Sequence, residues 1–341
     1  MLEVDEVHLA EKPNAARIAL VSFDSLGDGL IYLMIAENLR ANGYRVTCYG
    51  NIAAQLTSWL PQLEVRPYPQ SECLQDAFDD YDFVIASPPS FLRRNLSDAD
   101  VARLRKKWAL ICQKTPERWY YDHSETASPT LARQLGGLLS CAGSIRFRSF
   151  HDESVVEITL EYMRHRMGLD RLSKQVSITA PPGLVHRRYA QRIVVSPDSA
   201  GPEKKNWSAS GFLKLCQRLV DRGYEPHIVV APQHHARWER LAAGRFPAPK
   251  FPGVGALAAF LYESSLLVAN DSGNGHLASF LGIPTVTIYR KKNPLFHWRP
   301  DWAPGRVICP KWTVPGIEGS WRWFVTPEMT IKTVETLLSE S

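Results

Sequence analysis

Apolar positions along this chain fall into two alternating patterns. Short runs such as "RIALVSF", "DFVIASPPS", "QRIVVSPDSA", "EPHIVVAP" and "IPTVTIYR" are continuously hydrophobic over their strand portions. Such runs suit strands covered on both faces, as in a parallel sheet. Between them lie segments with helical periodicity, including "GLIYLMIAENLRANGY", "SASGFLKLCQRLVDRGY" and "VGALAAFLYES". Strands alternating with helices predict a doubly wound α/β layer. Ser208 is the predicted N-cap of the second of these helices.

The alternation runs twice. The span of about 110–190 is less regular; it holds the amphipathic "HDESVVEITLEYMRHRMGL", and "PPGLVHRR" follows as a linker. The pattern therefore predicts an N-terminal Rossmann-like domain over 1–172, a linker over 173–190 and a C-terminal Rossmann-like domain over 191–325. A last helix over 326–341 starts at Thr326-Pro327 and is expected to pack back on the N-terminal domain.

Composition narrows the class without naming a function. The 341 residues are 45% hydrophobic and 22% charged, ordinary for a globular protein and enough for two cores. No apolar run reaches the length of a membrane span, and the polar, acidic start "MLEVDEVHLAEKPNAAR" is not a secretory signal. Six scattered cysteines with no CxxC pair point to reduced thiols in the cytoplasm rather than to zinc or a disulfide scaffold. A net charge of +5 permits an anionic partner and does not require nucleic acid.

Ligands of open α/β sheets sit at the carboxyl ends of strands, so the loops there carry the chemistry. After the first strand, "VSFDSLGDGL" is a poor dinucleotide loop. Tyr32 stands where a small third residue belongs, the second strand ends without an acid for a ribose, and Asp28 would repel a pyrophosphate. Asp28 is then either a helix cap or a general base, with Asp24 as a weaker base candidate. In the second half, "SPDSAGPEKKNWSASGF" offers Ser196, Ser199, Lys204 and Lys205 before a helix, which suits a diphosphate. "NDSGNGHLASFLGIPTVTIY" delivers Asp271 to a strand end, and Ser272, Gly273, Asn274 and Gly275 open a helix bearing His276. There a carboxylate can bind sugar hydroxyls while backbone N–H groups meet an anion.

Together these motifs resemble glycosyltransferase family 9, the ADP-heptose:lipopolysaccharide heptosyltransferases, over most of the chain from residue 17 onward. "SLGD" resembles the loop of the catalytic acid and places it on Asp28; "KNW" places a diphosphate-neutralising lysine on Lys205. The signature D-[ST]-G-x-x-H-x-A-x-x-x-x-x-P places a sugar-hydroxyl ligand on Asp271. The resemblance implies a GT-B fold, two facing Rossmann-like domains with a cleft between them. It also implies inverting transfer by direct displacement, without a metal or other cofactor. Asp28 and Lys205 are the implied catalytic residues. The donor, an ADP-linked or related nucleotide sugar, is expected on Ser196, Ser199, Lys205, Asp271, Ser272, Gly273, Asn274, Gly275, His276 and Arg290. The acceptor, an anionic glycolipid or other glycan, is expected at Asp24, Ser25, Gly27, Arg93 and Arg94, with peripheral contact to the inner-membrane surface. One departure is that Tyr289-Arg290-Lys291-Lys292 stands where family members have Phe-Gly.

Other features take blander readings. "DDYD" at 79–82 precedes its strand and reads as a turn. The basic run 91–108 is either a solvated helix face or a contact for an anionic glycolipid. His234-His235 reads as an exposed loop pair, His276 as structural support, and Trp298, Trp302, Trp312, Trp321 and Trp323 as packing between domains. A nucleotide-sugar 2-epimerase of the same architecture, or a non-catalytic sugar-nucleotide or glycan-binding protein, are the alternatives.

Overall fold

The computed structural model describes residues 15–70, 76–87, 97–112, 115, 117–146, 153–290 and 298–341. Its contacts divide the chain into two compact units. One comprises Met1–Asp24, Ile31–Arg148 and Glu157–Ser177; the other comprises Ser25–Leu30, Ser149–Val156 and Ile178–Ser341.

The first unit is built on six parallel strands, β1 (Arg17–Val21), β2 (Arg45–Tyr49), β3 (Glu64–Arg66), β4 (Phe83–Ala86), β5 (Trp108–Cys112) and β6 (Gly143–Ser144). Their spatial order is β3-β2-β1-β4-β5-β6, the Rossmann order, which reverses between β1 and β4. The helices in this part of the chain are α1 (Leu26–Ala41), α2 (Asp98–Lys107), α3 (Pro129–Leu135) and α4 (Val155–Arg166). Ile18 to Val21 and Phe83 to Ala86 are buried throughout, which explains their unbroken hydrophobicity. The "DDYD" segment is a turn that seats β1: the Asp82 carboxylate accepts from the Arg17 backbone N–H at 2.7 Å.

The second unit has five parallel strands, β7 (Tyr189–Ser196), β8 (Glu225–Ile228), β9 (Ser264–Asn270), β10 (Thr285–Ile288) and β11 (Gly305–Ile308). They are ordered β11-β10-β9-β7-β8, so the order reverses between β7 and β9. Its helices are α5 (Pro202–Lys205), α6 (Ala209–Val220), α7 (Pro232–Ala242), α8 (Val254–Tyr262), α9 (Gly273–Phe280) and α10 (Pro327–Glu340). Ser208 caps α6 as the sequence predicts, accepting from the Gly211 N–H at 3.0 Å. Phe212, Leu215, Cys216 and Leu219 then recur at helical spacing and are fully buried.

Three expectations need correction. The C-terminal helix α10, expected on the first domain, belongs to the second unit, where Ile331, Val334 and Leu337 complete the core that α6 and the second sheet share. Its apolar stripe meets the stripe of α6. His234 and His235 lie in α7 rather than a loop, because Pro232 occupies the first helical position instead of breaking the helix. His235 is buried, with its Nε2 at 2.6 Å from the Ala248 carbonyl. Among the late tryptophans, Trp302 and Trp321 pack inside the second unit, whereas Trp312 and Trp323 are 72% and 65% exposed.

Candidate functional site

The second sheet reverses between β7 and β9, and the two distinctive motifs leave the sheet at those carboxyl ends. β7 ends at Ser196 and runs through a loop into α5, which carries Lys205; β9 ends at Asn270 and delivers Asp271. Asn270 joins them. Its fully buried side chain accepts from the Trp207 N–H at 3.0 Å and donates to the Pro197 carbonyl. A buried amide with both ends satisfied fixes both loops at once.

The Lys205 ammonium lies 2.6 Å from an Asp271 carboxylate oxygen. The lysine side chain is half exposed, so the pair contributes little to folding and can be exchanged for a ligand. Asn274 donates to the Ser196 hydroxyl at 2.9 Å, and Ser199 donates to Asn206 at 2.6 Å. A cavity of about 430 Å³ opens at this switch point, lined by Ser196, Ser199, Ser272, Gly273 and Asn274, with Gln233 and His234 from α7. That volume suits a small polar ligand. Ser272 precedes α9, yet its hydroxyl does not cap the helix and has no protein partner. The Ser272 side chain therefore leaves the N-terminus of α9 uncapped, as an anion-binding helix end requires.

His276, in the first turn of α9, is buried. Burial, helped by the nearby Lys205 charge, lowers its imidazole pKa to about 4, so the ring is neutral at physiological pH. Its Nδ1 has no partner, and Trp298 and Trp302 meet the ring edge-on at 5.3 and 6.1 Å. The segment Ser25–Leu30 belongs to the same compact unit. A side chain at Gly27 would reach within 3.6 Å of the His276 ring, and one at Gly273 would come within 3.0 Å of Leu26. Gly273 thus permits a close approach that even alanine would crowd.

Ser25 and Asp28 form a reciprocal pair at the start of α1. The Asp28 N–H donates to the Ser25 hydroxyl at 3.3 Å, and that hydroxyl donates to the Asp28 carboxylate at 2.5 Å. Ser25 is therefore the cap, and Asp28 is the residue three positions on. A helix N-terminus by itself lowers a carboxylate's pKa. Burial outweighs it: desolvation raises the pKa, and the Ser25 hydrogen bond offsets only part of the rise.

The remaining candidates scatter. Asp24 is exposed, and Arg290 is half-buried just beyond β10. Arg93, Arg94, Lys291 and Lys292 lie outside the described residues. In the basic run, Lys107 is spent on structure, donating to the carbonyls of Phe78, Asp79 and Tyr81, while Arg105 and Lys106 are exposed. Two positions escape sequence reading. Asn270 immediately precedes the signature and was given no role. Arg322 donates to the carbonyls of Asn206, at 2.7 Å, and Glu203, so it clamps the segment bearing Lys205 from 116 residues away. Trp207 returns a bond to the Arg322 carbonyl at 3.1 Å. No local pattern marks such a partner.

A family model described as glycosyltransferase family 9 (heptosyltransferase) matches residues 137–309, just over half of the chain. The chain belongs to glycosyltransferase family 9. Lipopolysaccharide heptosyltransferase 1 of Pseudomonas aeruginosa is 32% identical over 95 residues, which span 27% of this chain and 27% of that relative. Among solved structures, Escherichia coli ADP-heptose lps heptosyltransferase II superposes with a TM-score of 0.65 at 17% identity, covering 95% of this chain and 99% of that one. The E. coli heptosyltransferase WaaC with ADP superposes with a TM-score of 0.61 at 18% identity, covering 94% and 99%. A family 9 glycosyl transferase from Veillonella parvula gives 0.60 at 19% identity, covering 96% and 98%. These likenesses carry the fold, two Rossmann-like units. The family match carries membership and includes α9 and the Lys205 segment.

Proposed function

We propose that this family 9 protein is an inverting glycosyltransferase. It would move a heptose or related sugar from a nucleoside-diphosphate donor, ADP-linked as the WaaC structure with ADP suggests, to a hydroxyl of a lipopolysaccharide-core or other glycan acceptor. The observation that supports this most is the Lys205–Asp271 pair at the switch point beside the open N-terminus of α9. One partner suits a diphosphate and the other suits sugar hydroxyls.

The chemistry follows from those groups. The acceptor oxygen attacks the anomeric carbon while the bond from that carbon to the diphosphate oxygen breaks. The acceptor proton passes to Asp28, whose raised pKa makes it a better base than a solvated aspartate. Negative charge develops on the leaving diphosphate, where Lys205, the hydroxyls of Ser196 and Ser199, and the N–H groups of α9 can stabilise it. Neutral His276 supports this wall without adding charge. These groups supply the electrostatic work that a metal does elsewhere, so we infer metal-independent transfer.

No helix among the described residues is long and apolar enough to cross a membrane. We infer action at the cytoplasmic membrane face, with Arg93, Arg94 and the exposed Arg105 and Lys106 available to an anionic acceptor or lipid. The test is incubation with a nucleotide-sugar panel, with and without acceptor, following nucleoside diphosphate release. Acceptor-dependent release is expected. Sugar isomerisation without acceptor would favour the epimerase reading, and binding without turnover would favour a non-catalytic one.

A further inference from the structure

The second unit carries another polar cavity, of about 620 Å³, which shares no lining residue with the one at the switch point. Three stretches wall it: α6, the short 3-10 segment Ser320–Phe324, and the first turn of α10. The sequence of α6 explains the first wall. Phe212, Leu215, Cys216 and Leu219 turn one side of the helix into the core. Ser210, Lys214, Gln217 and Asp221 recur at helical spacing between them and line the cavity instead.

Trp323 supplies the second wall. It is 65% exposed, although tryptophan is on average a highly buried side chain. Its backbone is nonetheless held firmly. Trp321 and Val325, on either side, are buried in the core. Arg322 donates to the Asn206 and Glu203 carbonyls, and its own carbonyl accepts from the Trp207 indole at 3.1 Å. The Arg322 guanidinium lies 5.3 Å from the ring centre of Trp321. The chain thus mounts the Trp323 indole on a fixed backbone and leaves it to solvent. The charges around it nearly cancel. Arg218 pairs with Glu328 at 3.4 Å and Arg322 is committed to carbonyls, which leaves Lys214 and Asp221, one of each sign. Gln217 donates to Asp221 at 3.1 Å. Both helix starts are capped from within: Ser208 accepts from the Gly211 N–H, and Thr326 accepts from the Met329 N–H at 3.2 Å. An anion therefore meets no concentrated positive charge here, in contrast to the Lys205 loop.

We propose that this cavity binds a neutral oligosaccharide, with one sugar ring stacked on the Trp323 indole and its hydroxyls shared among Lys214, Gln217 and Asp221. The C–H face of a sugar ring is slightly positive and suits the negative face of an indole. Sugar hydroxyls both donate and accept, and the α6 wall offers an ammonium, an amide and a carboxylate to meet them. The volume lies within the range of small-ligand sites. The balanced charge disfavours a phosphorylated ligand, and the polar α6 wall disfavours an apolar one. The geometry belongs to the second unit alone and is independent of the transferase reading. The ligand has two sources of the same chemistry, the outer sugars of a glycan acceptor or a separate glycan.

Titration calorimetry on the full chain tests it, with maltotriose, cellotriose and chitotriose as probes. Wild type should bind at least one of them saturably, and salt should leave that affinity unchanged, since a neutral ligand has no charge to screen. Trp323→Ala should weaken binding about tenfold, and Trp323→Phe should keep part of it. Gln217→Ala, on the exposed side of α6, should weaken it too and guards against misfolding of the tryptophan variants. Trp312→Ala removes an exposed indole that does not line the cavity and should bind as wild type does. Excess ADP should not displace the sugar. Failure of all three probes to bind, wild-type affinity in Trp323→Ala, loss in Trp312→Ala, or displacement by ADP would each overturn the proposal. Steady-state kinetics separates the sources. If the sugars are the acceptor's own, Trp323→Ala raises KM for the full acceptor but not for one trimmed to its reacting end. If the glycan is separate, neither KM changes. An equal rise for both acceptors would put Trp323 at the reacting end and overturn the separate site.

Discussion

At the scale of single residues, Asp28 combines a catalytic assignment with a folding cost. Burial raises its folded pKa above the unfolded value. The folded chain therefore binds that proton more tightly, and the resulting stability is present at low pH and lost as pH rises through the folded pKa. At neutral pH the ionised carboxylate works against folding. Asp28→Asn should consequently unfold at the same or a higher temperature than wild type, while transfer falls by about 10²–10⁴. In wild type, kcat/KM should decline as pH falls through the raised pKa, and Asp28→Asn should lack that limb. Thermal unfolding and a pH–rate profile on both proteins check this; near-full turnover by a folded Asp28→Asn would remove the assignment. Lys205 makes the opposite case. Its pair with Asp271 is half exposed, so Lys205→Ala should change stability by less than about 1 kcal/mol. It should still lower kcat about 10²–10³-fold, because the leaving diphosphate loses its cation.

Individual elements decide how those side chains are held. α5 is a single turn and cannot hold Lys205 by itself. Arg322 and Asn270 clamp it from both sides. Arg322→Ala should raise donor KM more than it lowers kcat, and Arg322→Lys should recover only part, since a lysine lacks the planar fork. Steady-state kinetics with varied donor separates this from general destabilisation, which would lower active-enzyme concentration and leave KM unchanged. The same scale shows what the sequence can disclose. The strands and α6 were legible because burial on both faces demands continuous hydrophobic runs and a packed helix demands a stripe. The D-S-G-x-x-H run was legible because its residues are consecutive. Arg322 was not, since it joins Lys205's segment only through the fold. His235 was misread because Pro232 signals a break as readily as a helix start. The raised Asp28 pKa was not legible, because burial, which no local pattern reports, outweighs the helix terminus.

The molecule as a whole carries a buried neutral imidazole in each unit. His276 sits in the second, and His123, 2% exposed with its Nδ1 on the Leu139 carbonyl at 3.0 Å, sits in the first. Burial lowers both pKa values, that of His276 to about 4. An unfolded histidine takes its proton near about 6.5. Between those limits the unfolded chain binds more protons than the folded one, so stability falls as pH falls. Denaturant unfolding should show both units weakening from pH 7 to pH 4.5, and His276→Phe should flatten the slope for the second unit alone. The same two-unit division bears on truncation. Because α10 completes the second core, removing 327–341 should destabilise that unit and leave the first sheet intact, as hydrogen exchange would report.

The ion pair at the switch point also has a consequence for turnover. A nucleotide sugar can satisfy both halves, its diphosphate taking the ammonium and its sugar hydroxyls taking the carboxylate. Once the sugar has left, the nucleoside diphosphate can occupy Lys205 only by leaving the Asp271 carboxylate without its counter-charge. Lys205 and Asp271 then compete with the spent nucleotide by rejoining each other. On the proposed roles the pair would act as an ejector, favouring exit of the product over its retention and limiting inhibition as product accumulates.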